Sequence, residues 1–105
     1  MTSQPQGKII VRVDRDIEEI VPLFLECRRR DLLKIRQGLQ NGDYETIRKL
    51  GHNLKGAGGG FGFDPISELG VQIEAAAEQQ NGEIVDKYAE ELASYLLRVV
   101  VVVDE

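Results

Sequence analysis

Apolar residues recur at steps of three and four along four stretches of the chain. Turning about 100° per residue from Ile17, the residues Ile20, Val21, Phe24, Leu32, Ile35 and Leu39 stay on one side. This predicts a first helix from near Asp16, with Asp14 or Asp16 as its N-cap and Asn41-Gly42 as its stop. Pro22 lacks an N–H and crowds the preceding turn, so it should end a short first turn or kink the helix. Arg28 falls inside the apolar stripe, with Asp31 in pairing reach. A second helix follows the cap Asp43 and carries Ile47, Leu50, Leu54, Ala57 and Phe61. Asp64-Pro65 starts a third, with Ile66, Leu69, Ile73, Ala76 and Ala77 inward and an end at Asn81-Gly82. The fourth sets Val85, Tyr88, Leu92, Tyr95, Leu96 and Val99 on one side.

Connections of a few residues make successive helices antiparallel neighbours. The expected fold is all-α, an antiparallel up-down-up-down four-helix bundle over residues 14–98. Residues 1–13 are expected to form an extended or linker segment, and 99–105 a C-terminal tail. Lys8 to Val13 and Val99 to Val103 are both β-branched. They could pair as a two-stranded sheet, the valines could continue helix four, or either could pair with another chain.

Composition then removes several classes of function. The chain has 105 residues with 13 Lys+Arg against 18 Asp+Glu, too acidic a balance for nucleic acid as the main partner. Arg28, Arg29 and Arg30 are its only basic run, which reads as a solvated stretch paired with nearby acids. One Cys allows no internal disulfide, and one Cys with one His cannot build a Cys/His zinc cage, so no metal site is expected and Cys27 reads as a core residue. The N-terminus has no apolar signal core, and the valine run is far shorter than the ~20 residues of a membrane span. A cytoplasmic domain is expected, with no membrane insertion.

The lone histidine carries the interest. His52 lies opposite the apolar stripe of helix two and should face water, among Glu45, Arg48, Lys49, Lys55, Gly56 and Gly59. Helical glycine costs about 1 kcal/mol relative to alanine, yet Gly51, Gly56, Gly58, Gly59, Gly60 and Gly62 crowd this stretch. Such a run either ends helix two early or lets another backbone or a partner approach beside His52. It does not match GxGxxG, because Phe61 stands where the last glycine is required, and GK[ST] is missing. Nothing in the sequence brings Cys27 to His52 as a nucleophile pair.

The string His52-Asn53-Leu54-Lys55-Gly56, with later glycines to Gly62, resembles the signature of histidine-containing phosphotransfer (HPt) domains of bacterial multistep phosphorelays. Phe24 to Leu32 is similar to their first long helix, and the likeness extends from Asp14 to Leu97. Ala57 and Gly58 stand where a serine pair is often found.

The resemblance implies that His52 is a phosphoacceptor, taking a phosphoryl group from a response-regulator aspartyl phosphate and passing it to another receiver. The chain would be a covalent phosphoryl carrier without ATP-dependent kinase activity of its own. No cofactor is expected, magnesium belonging to the partner receiver domain. A hybrid sensor kinase in cis is a further possible partner. An imidazole is substantially neutral near pH 7 and is then a nitrogen nucleophile. Lys55 would offset charge on the phosphoryl oxygens, with Arg48 and Lys49 adding to the field, and Gly56 would leave clearance for the receiver, extended by Gly59. From helix three, Gln72 and Glu74 come within reach of the histidine edge. Leu33 and Leu23, off the stripe of helix one, are candidates for an apolar docking patch. Two alternatives remain: a non-catalytic four-helix interaction module, and a metal-binding bundle that lacks a second histidine and an inward Glu-x-x-His motif.

Overall fold

The computed structural model describes residues 7–104; residues 1–6 of the expected N-terminal segment 1–13 lie outside the described residues. Strand β1 (Ile9–Asp14) leads through a 3-10 turn (Arg15–Ile20) into helix α1 (Val21–Asn41). Then come α2 (Tyr44–Gly58), a 3-10 turn (Gly59–Phe61), α3 (Asp64–Glu78), α4 (Gly82–Arg98) and strand β2 (Val99–Asp104). The four helices form a bundle in which α1 packs on α2 and α4, and α3 on the same two.

Helix boundaries follow local chemistry, with corrections to the sequence reading. α1 starts at Val21 rather than near Asp16: a short turn ends ahead of Pro22, as expected, and Pro22 occupies the first turn of α1, where its missing N–H costs nothing. Residues 15–20 wind as a 3-10 turn instead, Asp14 makes no side-chain cap bond, and Ile20, expected in the core, is 47% exposed. The α3–α4 boundary also differs. Gly82 is the first residue of α4, and Asn81 is its N-cap, accepting a hydrogen bond from the Ile84 N–H. The left-handed residue of that connection is Gln80. Finally, α2 tightens into a 3-10 turn at Gly59, and Phe61 lies in that turn. Asp64, expected as the N-cap of helix three, is instead its first residue, with Phe63 at the cap position and no side-chain cap bond, whereas the caps at residues 42 and 43 are in place. Gly42 is left-handed and its N–H returns to Gly38 and Leu39, while the Asp43 carboxylate accepts from the Thr46 N–H and hydroxyl.

The core is continuous through all four helices. Ile35, Ile47, Leu54, Ile66, Ile73, Val85 and Leu92 are fully buried, as the helical stripes require. Phe63, which no stripe included, is fully buried too and stacks on Phe24 at 5.1 Å, with Phe61 edge-on to Phe24 at 5.0 Å. Arg28 lies over the Phe24 ring and pairs with Asp31 at 3.1 Å. Burial pushes the Asp31 carboxyl above its ordinary value although Arg28 and Lys34 pull the other way. Arg29 and Arg30 reach Glu26, the solvated pairing expected of a basic run. Cys27 is half-buried rather than a core residue.

The two valine-rich ends pair, in parallel, with Ile9 opposite Val99 and Asp14 opposite Asp104. Parallel neighbours need a long crossover, and here the whole bundle is that crossover. A lone two-stranded ribbon is marginal in water. This one is supported because Val11 and Val13 join the core.

Candidate functional site around His52

The site begins with how closely α2 and α3 approach. A Cβ on Gly51 would lie 2.7 Å from the Glu74 backbone nitrogen, and one on Gly58 2.5 Å from the Phe63 carbonyl oxygen. From the other side, a Cβ on Gly70 would meet the Lys55 backbone nitrogen. Such distances leave no room for a side chain, so these glycines are what lets the two backbones touch. The remaining glycines of the run behave differently. Gly56 and Gly60 have nothing within 4 Å of a Cβ position, and Gly59 is exposed with its N–H donated to the Ser67 hydroxyl. One run thus contains a packing set and an open set. Gly70 belongs to the packing set, although it stood outside any motif in the sequence.

Close approach brings an α3 carboxylate to the histidine. The His52 side chain is 60% exposed, and its Nδ1 is 3.2 Å from Glu74 Oε2. Lys55, one turn on, sets Nζ 3.3 Å from Glu74 Oε1. Burial alone would raise the Glu74 carboxyl, but hydrogen bonds from Lys55 and His52, together with their charges, hold it below its ordinary value. An ionised carboxylate only accepts, so the imidazole donates from Nδ1 and, when neutral, carries its lone pair on Nε2. The arrangement orients the ring and leaves a nucleophilic nitrogen in solvent. Of the two α3 residues within predicted reach, Glu74 makes the contact. Gln72 instead borders grooves shared with Tyr88 of α4.

The other expected site residues are dispersed. Arg48 turns back to Glu45, with Nη2 2.7 Å from Oε2, so its charge is engaged one turn before His52. Lys49 is exposed on α2. Leu23 and Leu33 are exposed at 64% and 62%, but Leu33 borders a groove between α1 and α4 with Leu96 and Leu97. That is a different helix pair from the one holding His52. Among the described residues, no group of three His, Cys, Asp or Glu side chains is placed to hold a metal ion. No helix among them is long and apolar enough to cross a membrane.

The helical bundle thus presents one solvent-facing histidine, held at Nδ1 by a carboxylate and flanked by a lysine. The Hpt domain family model matches residues 19–100, and the chain belongs to that family. Its function is accordingly tied to phosphotransfer in phosphorelays, where Hpt domains interact with receiver domains. Comparisons with curated proteins and with solved structures give no match.

Proposed function

We propose that His52 accepts a phosphoryl group from the aspartyl phosphate of a response-regulator receiver domain and returns it to another receiver. The observation that carries this reading is the exposed His52 ring, tied through Nδ1 to Glu74 beside Lys55. The Nε2 lone pair attacks phosphorus, an N–P bond forms, and the acyl-phosphate P–O bond breaks with release of the donor aspartate as carboxylate. The positive charge left on the ring faces the Glu74 carboxylate. Lys55 shares that carboxylate and lies one turn from His52, close enough to place its ammonium against phosphoryl oxygens. Gly56 leaves the surface one turn beyond His52 bare for receiver loops, and Gly59, Lys49 and Arg48 border the same approach.

In this reading the chain is a carrier without ATP chemistry, magnesium stays with the receiver, and the cytoplasm is the compartment where its partners act. The bundle alternates up and down. Gly38 meets Ile47, Gly51 meets Glu74, Gly58 meets Ser67 and Arg36 meets Glu90, pairs that support antiparallel neighbours.

The test is transfer of acid-labile label from phosphorylated receivers of the same genome. Label is expected on the wild type, on Lys55→Ala at a lower rate, and not on His52→Gln. Absence of label from every receiver, with the helical circular dichroism intact, would replace this reading with a non-catalytic interaction module.

A further inference from the structure

Given the phosphoacceptor role proposed for His52, we infer that Glu45 is a positioning residue for the site. It holds the Arg48 guanidinium off the imidazole, and a phosphoryl group on Nε2 draws that guanidinium away from it. Glu45, Arg48, His52 and Lys55 follow at steps of three, four and three, and so form one stripe along α2. At about 100° per residue, Arg48 and Lys55 fall on the same flank of His52 as Gly51, which packs on the Glu74 backbone. Lys49 and Gly56 fall on the opposite flank.

Both cations on the α3 flank are engaged while the histidine is free. Lys55 Nζ lies 3.3 Å from Glu74, and Arg48 grips Glu45 with two bonds, Nη2 at 2.7 Å and Nε at 3.2 Å. The hydrogen bond and charge of Glu45 push the guanidinium above its ordinary value, and the charges of Glu78 and Glu74 on α3 add to that. Arg48 in turn holds the Glu45 carboxyl below its ordinary value. The three carboxylates Glu45, Glu74 and Glu78 thus face the two cations Arg48 and Lys55. A phosphoryl group adds about two more negative charges. Neither cation on this flank is spare, so the added charge is met there by exchange.

Arg48 is the cation suited to that exchange. Its partner Glu45 has a side chain 62% exposed, and exposed pairs contribute little net stability. Lys55 instead shares its carboxylate with the imidazole, and the Glu74 side chain is only 17% exposed. Helical side chains lean toward the N-terminus, so the His52 ring overlies the turn that carries Arg48. A guanidinium offers parallel N–H donors to two phosphoryl oxygens at once, a match an ammonium lacks. Glu45 and the phosphoryl group therefore compete for one fork.

Phosphoramidate tests this without any receiver, its phosphoryl group passing to the imidazole as ammonia leaves. Mass spectrometry follows loading of the full chain, and proton–nitrogen NMR follows the Arg48 Nε–H. Loading is expected to shift that resonance in the wild type, and His52→Gln should leave it unmoved under the same treatment. Glu45→Gln should load about threefold faster and Arg48→Ala about threefold slower, the scale of one exposed ion pair. The double variant should match Arg48→Ala, because Glu45 acts only through Arg48. Circular dichroism checks that each variant folds. An Arg48 resonance unmoved by loading overturns the inference. So does a double variant that keeps the gain of Glu45→Gln, or a loading rate that falls in Lys49→Ala and not in Arg48→Ala. Failure of every receiver to label the wild type would remove the transfer reading instead, and the phosphoramidate-loaded chain would still decide the role of Glu45.

Discussion

The α2–α3 seam and the α1–α4 seam of the same bundle are built on opposite plans. Along α2–α3, Gly51, Gly58 and Gly70 bring backbone against backbone, and the short gap lets Glu74 span from its own helix to His52 and Lys55. Along α1–α4, leucines line an open groove with Leu33 and Leu97 exposed beside it, and the ion pair Arg36 with Glu90 spans the two helices. Close-packed interiors transmit any added volume, whereas an open rim absorbs it. His52 sits on the seam where the two backbones approach most closely. In the proposed transfer, a ring that presents Nε2 to a receiver would gain from a neighbouring helix held this close.

Substitutions that fill the tight seam should produce the largest effects. Gly51→Ala places a methyl against the Glu74 backbone, and urea unfolding should show a loss of about 1–3 kcal/mol. The same variant should lower the rate of phosphoryl transfer, because α3 must retreat and Glu74 with it. Removing the α4 cap with Asn81→Ala should cost about 1 kcal/mol, read from the same unfolding midpoint, without altering transfer. Gly56→Ala sharpens the contrast through its opposite sign. Its Cβ enters open space, so helix propensity should raise stability by up to about 1 kcal/mol while receiver docking weakens. On the loose seam, Leu33→Ala should change stability by less than about 0.5 kcal/mol. Unchanged transfer in that variant would remove Leu33 from the docking surface.

The smallest effect concerns acid. Glu74 titrates below its ordinary value of 4.5 in the folded chain and at that value when unfolded. Its contribution to stability is therefore complete above that pH and is lost as pH falls through the depressed folded value. Thermal unfolding of wild type and Glu74→Gln should differ near neutrality and converge in stronger acid. A constant difference across that range would show that the carboxylate's charge is not what stabilises the seam.

Much of this was legible before any coordinates. The stripes of α2, α3 and α4 named most of the fully buried residues, since a period near 3.6 marks an inward face wherever a helix has one neighbour side. His52 and Lys55 could be put on the outer face of α2 by the same arithmetic. What escaped had no periodic signal. Phe63 lies in a two-residue link between a 3-10 turn and α3, and only the fold shows that its ring closes on Phe24. Ile20 fits the stripe of a helix that starts earlier than α1 does, because wheel arithmetic does not register that residues 15–20 wind more tightly. The glycine run offered a close backbone approach as one meaning, and only the fold shows that Gly51 and Gly58 make it while Gly56 borders open space.

The sequence by itself determined four amphipathic helices, the outward position of the only histidine, and the acidic, single-cysteine composition that excludes several chemistries. These follow from local rules of period, capping and charge. The tertiary structure alone decided that Glu74 rather than Gln72 meets the imidazole, that Gly51 and Gly58 face a backbone while Gly56 faces solvent, and that the valine ends pair in parallel. The reason is common to all three. Each depends on which element lies across from a residue and how near it comes, a relation between segments far apart in sequence that no local pattern encodes.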